Sequence, residues 1–150
     1  MSLKLRIEAD MKTAMLQKNK DELTALRSIK SLILLAQTEK GAGKELTEDE
    51  ELKLLSKAAK QRRESADIYS AQGRKDLADK ELLELEVISR YLPKQLSQAE
   101  LEDKVAEIIQ QVGAAGPQDM GKVMGVASKS LAGKADNKAI AETVKKLLNR

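Results

Sequence analysis

The sequence predicts an all-α protein in two parts, and three observations carry that reading. Apolar residues recur at spacings of three and four along almost the whole chain, the mark of helices that bury one face. Sustained period-two alternation in β-branched and aromatic residues is missing, so no strand is expected. Breaks are concentrated at Gly41 and Gly43, Gly73, Pro93, the cluster Gly113, Gly116 and Pro117, and Gly133, and they leave segments of helical length between them. The expected architecture is a four-helix N-terminal region, residues 1–93, followed by a small three-helix domain, residues 94–150.

The first helix is expected over roughly residues 2–17, with Leu5, Ile7, Met11, Met15 and Leu16 as its apolar positions. The second starts near Asn19 and carries Leu23, Leu26, Ile29 and Ile33 at helical spacing until Gly41 and Gly43 stop it. Thr47-Glu48-Asp49-Glu50 opens the third. There Thr47 can accept from an amide and Glu50 can reach back, and the acids sit at the positive helix end. That helix runs to Gly73. The fourth follows from about Arg74, with Leu77, Leu82, Leu85, Ile88 and Leu92 facing inward, until Pro93 turns Leu92 away from helical geometry. Ser97-Gln98-Ala99-Glu100 reads as a second capping box. The fifth helix then aligns Leu101, Val105, Ile108 and Val112. A sixth begins at or just after Pro117, a residue suited to a first helical position, and Gly133 ends it. Asp136 is placed to cap the seventh, whose buried stripe is Ile140, Val144, Leu147 and Leu148.

Composition removes many functions. The 150 residues include no cysteine, no histidine, no phenylalanine and no tryptophan, and the aromatics are Tyr69 and Tyr91 alone. The core is therefore aliphatic. Disulfides, thiolate chemistry, Ser-His-Asp and Cys-His arrangements and ordinary zinc sites are excluded. No catalytic residue, metal ligand or cofactor is expected. The N-terminal stretch MSLKLRIEAD lacks an apolar run of signal-peptide length, and nothing approaches the roughly 18 apolar residues of a membrane span. The expectation is a soluble, cytoplasmic chain.

Residues 116–123, GPQDMGKV, match the spacing G-x-x-x-x-G-K of a nucleotide-binding loop. The match is incomplete. A helix precedes it where the motif needs a strand, Val123 follows Lys122 where a magnesium-binding hydroxyl is needed, and Pro117 removes an amide. No nucleotide is expected. On a helical wheel Met120, Val123, Met124, Ala127 and Leu131 fall within about 100° and form a core stripe. Lys122 and Lys129 lie opposite, and Gly121 and Gly125 form a flank without side chains. Either that flank lets the sixth helix cross a neighbour tightly, or it admits the backbone of a ligand.

Charge is unevenly spread. Residues 94–119 are net −3, whereas residues 120–150 hold seven bases and two acids, net +5. Lys122, Lys129, Lys134, Lys138, Lys145 and Lys146 are the candidates for one exposed basic face, a surface suited to phosphates. A comparable run in the third helix, Lys53, Lys57 and Lys60 with Arg62 and Arg63, is expected to pair with Glu81, Glu84 and Glu86 of the fourth.

Three segments carry a resemblance to a known family. They are DMKTAMLQKNKDELTALRSIKSLI, KQRRESADIYSAQGRKDLADKELLELEVISRYLP, and MGKVMG followed by GKADNKAIAETVKKLL. Together they resemble the YqeY-like (GatB/YqeY domain) family over essentially the full length. The resemblance implies a C-terminal part similar to the tail of the aspartyl/glutamyl-tRNA amidotransferase B subunit, an accessory element that contacts tRNA. A carbon–nitrogen ligase label attached to such proteins is inherited from that enzyme, whose catalytic subunits have no counterpart here. The leading expectation is a non-catalytic accessory that binds tRNA through the tail lysines, by backbone and shape because the tail has no aromatic residue for stacking. The alternative is a protein–protein adaptor that docks through its N-terminal helices.

Overall fold

The structure, a computed structural model, describes residues 2–41 and 43–150. Those residues are all helical, with seven α-helices, one 3-10 turn and no strand. The chain divides into two compact units, Met1–Leu92 and Pro93–Arg150.

In the first unit α1 covers Leu3–Leu16, α2 Lys20–Lys40, α3 Glu48–Ala71 and α4 Lys75–Ser89. The starts follow local chemistry. The Asn19 side chain accepts from the Glu22 amide, and Thr47 and Glu50 form a reciprocal capping box that satisfies two of the amides a helix start leaves open. Gly73, at φ 74°, takes the left-handed conformation that ends α3. Helix α4 stops at Ser89, three residues short of Leu92. Ahead of Pro93 the chain tightens into i→i−3 bonds, from Arg90 N to Val87 O, Tyr91 N to Ile88 O and Leu92 N to Ser89 O.

Helix α1 packs on α2, α2 on α4, and α3 lies along α4. The buried side chains are Leu3, Ile7, Leu26, Ile29, Ile33, Leu55, Val87 and Ile88, with small alanines between them. Two expectations are corrected here. Leu5, Met15 and Leu16 do not face inward; they are 54%, 52% and 85% exposed. Leu5 and Leu16 fall roughly 160–180° from Ile7 on the wheel, so the buried line of α1 is Leu3, Ile7 and Ala14. Leu82 of α4 is likewise 47% exposed, and Ala78, Val87 and Ile88 take the interior. The segment after α4 is tied back by polar contacts. The Tyr91 hydroxyl donates to Asp10 Oδ2, the Arg6 guanidinium lies 5.2 Å from the Tyr91 ring centre, and Arg90 pairs with Glu22. Burial, and then the bond to Asp10, push the Tyr91 phenol well above its ordinary value.

In the second unit α5 covers Gln98–Val112, a 3-10 turn Pro117–Asp119, α6 Met120–Ser130 and α7 Asn137–Leu148. Every helix pair packs around Leu101, Val105, Ile108, Val123, Ala127, Leu131, Ile140, Val144 and Leu148. The lead-in to α5 is held by Leu96 N donating to Lys134 O at 2.9 Å and Gln95 Nε2 to Gly133 O at 2.6 Å. Gln98 Nε2 donates to Oγ1 of the buried Thr143 at 3.2 Å. Two caps are weaker than expected. Ser97 accepts from Glu100 N, but Glu100 makes no return bond. Asp136 sits at the start of α7 with no side-chain cap, and only its carbonyl serves, accepting from Ile140 N.

A candidate basic interface on the C-terminal unit

Helix α6 sets the central geometry. Val123 and Ala127 are fully buried and Met120 and Met124 pack beside them, which turns Lys122 and Lys129 outward into solvent. They are seven residues apart, two turns of helix, and so project from one side about 10 Å apart along the axis. On α7 the buried Ile140 and Val144 leave Lys138 and Lys145 on the outer side, again seven apart and exposed. Glu142 stands exposed between them. Lys134, in the turn joining the two helices, is exposed as well and borders a cleft of about 230 Å³ floored by Leu96, Ile108 and Leu131.

None of Lys122, Lys129, Lys134, Lys138 or Lys145 enters an ion pair among the described residues. Lys146 differs. It lies on the side of α7 that faces α5, where its Nζ is 2.6 Å from Glu102 Oε1. That bond, together with one from Gln98, holds the Glu102 carboxyl below the usual carboxylate range. The sequence carried no local signal for this contact between residues 102 and 146.

Gly121 and Gly125 resolve one open choice. A Cβ added at either would meet nothing within 4 Å, so no neighbouring helix crosses there. Both glycines are exposed, beside the lysines, and present bare helix backbone to solvent. The preceding turn is closed to phosphate in another way. Asp119 Oδ2 accepts from the Ala115 amide at 2.8 Å, so a carboxylate occupies the loop where a nucleotide-binding motif offers amides.

The third-helix lysines require a correction. Lys53, Lys57 and Lys60 do not pair with α4, because Arg62 takes its acids: Nε lies 2.6 Å from Glu84 and 3.6 Å from Glu81. Glu86 pairs with Arg90 at 3.5 Å. The helical period held the signal, since Arg62 lies seven residues from buried Leu55 and shares its side, whereas the three lysines project away from it.

These features define an all-helical protein whose distinctive surface is a set of unpaired ammonium groups beside bare backbone. Among the described residues there is no group of three His, Cys, Asp or Glu side chains able to hold a metal. The chain belongs to the YqeY-like family, whose model, described as Yqey-like protein, matches residues 4–148. It is similar to "Altered inheritance of mitochondria protein 41, mitochondrial" from Meyerozyma guilliermondii, 37% identical over 123 residues, which are 80% of this chain and 64% of that protein. The protein of the same name from Clavispora lusitaniae is 36% identical over 110 residues, 72% of this chain and 63% of the relative. That from Pyrenophora tritici-repentis is 28% identical over 148 residues, 95% and 79%. The chain thus spans less than two thirds of the length of the first two relatives.

Those names overturn the expectation of a cytoplasmic protein, since the relatives are mitochondrial by name. A missing apolar run argues against secretory export, but mitochondrial transit segments are amphipathic and rich in Arg and Ser, so such a run carries no information about that compartment. The statement about membranes is narrower: among the described residues no helix is long and apolar enough to cross one.

Proposed function

We propose that the chain is a non-catalytic RNA-binding accessory that engages the phosphate backbone of tRNA through its C-terminal part. In this reading it works as two domains, a four-helix region over residues 1–93 and a three-helix tail over residues 94–150. The tail corresponds to that of the amidotransferase B subunit. The observation that carries it is the set Lys122, Lys129, Lys134, Lys138 and Lys145, exposed and without ion-pair partners among the described residues, next to the open backbone at Gly121 and Gly125. Lysines so placed give up no internal bond when they meet a phosphate, and release of counterions drives the contact. Lys146 contributes less, since its bond to Glu102 must first be given up.

Titration of the full chain with tRNA over a range of salt tests this. The five tail contacts contribute about −3.5 to −4.5 to the slope of log affinity against log salt. Replacing Lys122, Lys129 and Lys138 with glutamine flattens it by about 2 to 3 units, evenly across tRNA sequences, because phosphate contacts carry no sequence information. Absence of tRNA binding by the unaltered chain at low salt refutes the proposal. The adaptor reading then takes its place, on the strength of Leu16 at 85%, Leu35 at 58% and Ile68 at 57% exposure on the N-terminal helices.

A further inference from the structure

Helix α3 carries a second row of like charges. Lys53, Lys57 and Lys60 are all exposed and fall within about 60° on the wheel, opposite buried Leu55, Ala58, Ala59 and Ala66. The row extends about 10 Å along the helix axis. A nucleic-acid duplex carries on the order of one charge per 2 Å of its length, so several phosphates fall within reach of such a row.

The fold leaves these lysines without an internal counter-charge. On α4, Glu81 and Glu84 are held by Arg62 and Glu86 by Arg90. On α3 itself Glu50 is bonded to Lys40 at 2.7 Å and to the Thr47 amide. Asp49 and Glu64, one turn before Lys53 and one turn after Lys60, form no ion pair among the described residues. Within the row the spacings are four and three, which place like charges next to each other on the helix surface and weaken the helix. Among the described residues no ion pair offsets that repulsion. Its charge pattern is complementary to a polyanion.

We propose that Lys53, Lys57 and Lys60 form a second phosphate-contacting row on the N-terminal unit, used on the same RNA as the tail lysines. This rests on the reading of the chain as an RNA-binding accessory and adds to it. The contacts are to backbone phosphates, since the row holds ammonium groups alone and no planar side chain to stack on a base.

The test uses the full chain and tRNA across a salt series, with two glutamine triples compared. One replaces Lys53, Lys57 and Lys60; the other replaces Lys122, Lys129 and Lys138. The α3 triple is expected to flatten the slope by about 2 to 2.7 units, at 0.7–0.9 per lysine, while an arginine triple at the same positions keeps it. Circular dichroism of the glutamine triple should show an intact helical spectrum, since it removes like-charge repulsion. If the α3 triple keeps the full slope while the tail triple loses it, the α3 row is refuted and the tail reading stands. If the α3 triple loses the slope and the tail triple keeps it, the row stands and the tail assignment falls. A chain that does not bind tRNA at low salt refutes both. Vesicles of phosphatidylcholine with phosphatidylserine form the last arm. Vesicle binding that the α3 triple abolishes, with tRNA binding unchanged, overturns the RNA proposal in favour of an anionic membrane surface.

Discussion

Replacing Gly125 with alanine separates stability from binding in a way few substitutions here do. Gly125 lies inside α6, with ordinary negative φ and with nothing within 4 Å of the position a Cβ would take. Alanine there introduces no clash and removes the backbone freedom that glycine gives the unfolded chain. The expected gain is about 0.8–1 kcal/mol, the interior helix difference between the two residues. If residues Pro93–Arg150 melt as their own unit, the gain appears as an upward shift of about 4–8 °C in that transition. Gly121, the second residue of α6, gains less, because its amide is one of those a helix start leaves open. The same methyl group stands where an RNA backbone would approach, so tRNA affinity should drop on the order of tenfold, about 1.4 kcal/mol. Calorimetry of the variant beside a salt-controlled tRNA titration reads both quantities. A variant that is more stable and binds tRNA with unchanged affinity refutes the role of the glycines in backbone approach. A destabilised variant refutes the geometric account of an open surface.

Lys18 is the one non-glycine residue with positive φ among those described, at 55°, and it closes the α1–α2 turn with its amide on Met15 O. Lys18→Gly should stabilise the chain by about 0.5–1 kcal/mol, the relief of left-handed strain less the added freedom of the unfolded chain, measured by urea unfolding. Glu102, depressed mainly by Lys146 and then by Gln98, contributes stability that is complete above its unfolded value of 4.5 and is lost as pH falls below it. Glu102→Gln should therefore flatten the acid-side decline of the unfolding midpoint and leave its slope at neutral pH unchanged. An identical acid limb in both proteins would contradict the pairing.

Where the apolar residues of a helix form one continuous stripe, the sequence was readable. Helix α2 shows this, with Leu26, Ile29 and Ile33 buried at three-and-four spacing, and α6 does so with Val123 and Ala127. In α1 apolar residues occur on both sides, and periodicity alone did not choose between Leu5 with Leu16 and Leu3 with Ala14. The choice depends on which side meets α2, a tertiary fact. The outward direction of Lys122, Lys129, Lys138 and Lys145 followed from the buried stripes beneath them. The pairing of Lys146 did not, because its partner lies 44 positions away, and no local rule links them. The same is true of Asp10 and Tyr91, 81 positions apart.

The expected pairing of α3 with α4 holds for Arg62 and fails for the lysines, and the reason is a difference between the two basic side chains. Arg62 sits on the packed side of α3, and its planar guanidinium reaches Glu84, Glu81 and, through a second nitrogen, Ser28 Oγ at 3.4 Å. A fork of donors suits such a half-buried position, because several acceptors are met from one fixed plane. Lysine's compact, strongly hydrated ammonium prefers water, and on the far side of the same helix Lys53, Lys57 and Lys60 remain there. One arginine therefore stands against both glutamates, close to Glu84 at 2.6 Å and farther from Glu81 at 3.6 Å, and leaves the three lysines no place beside them. Both helices are highly charged, yet the basic side of the α3–α4 contact with Glu81 and Glu84 is Arg62, and Lys53, Lys57 and Lys60 stay outward. An exposed cationic row on the N-terminal unit is a consequence of how the hairpin closes, and its availability to phosphate follows from the same geometry.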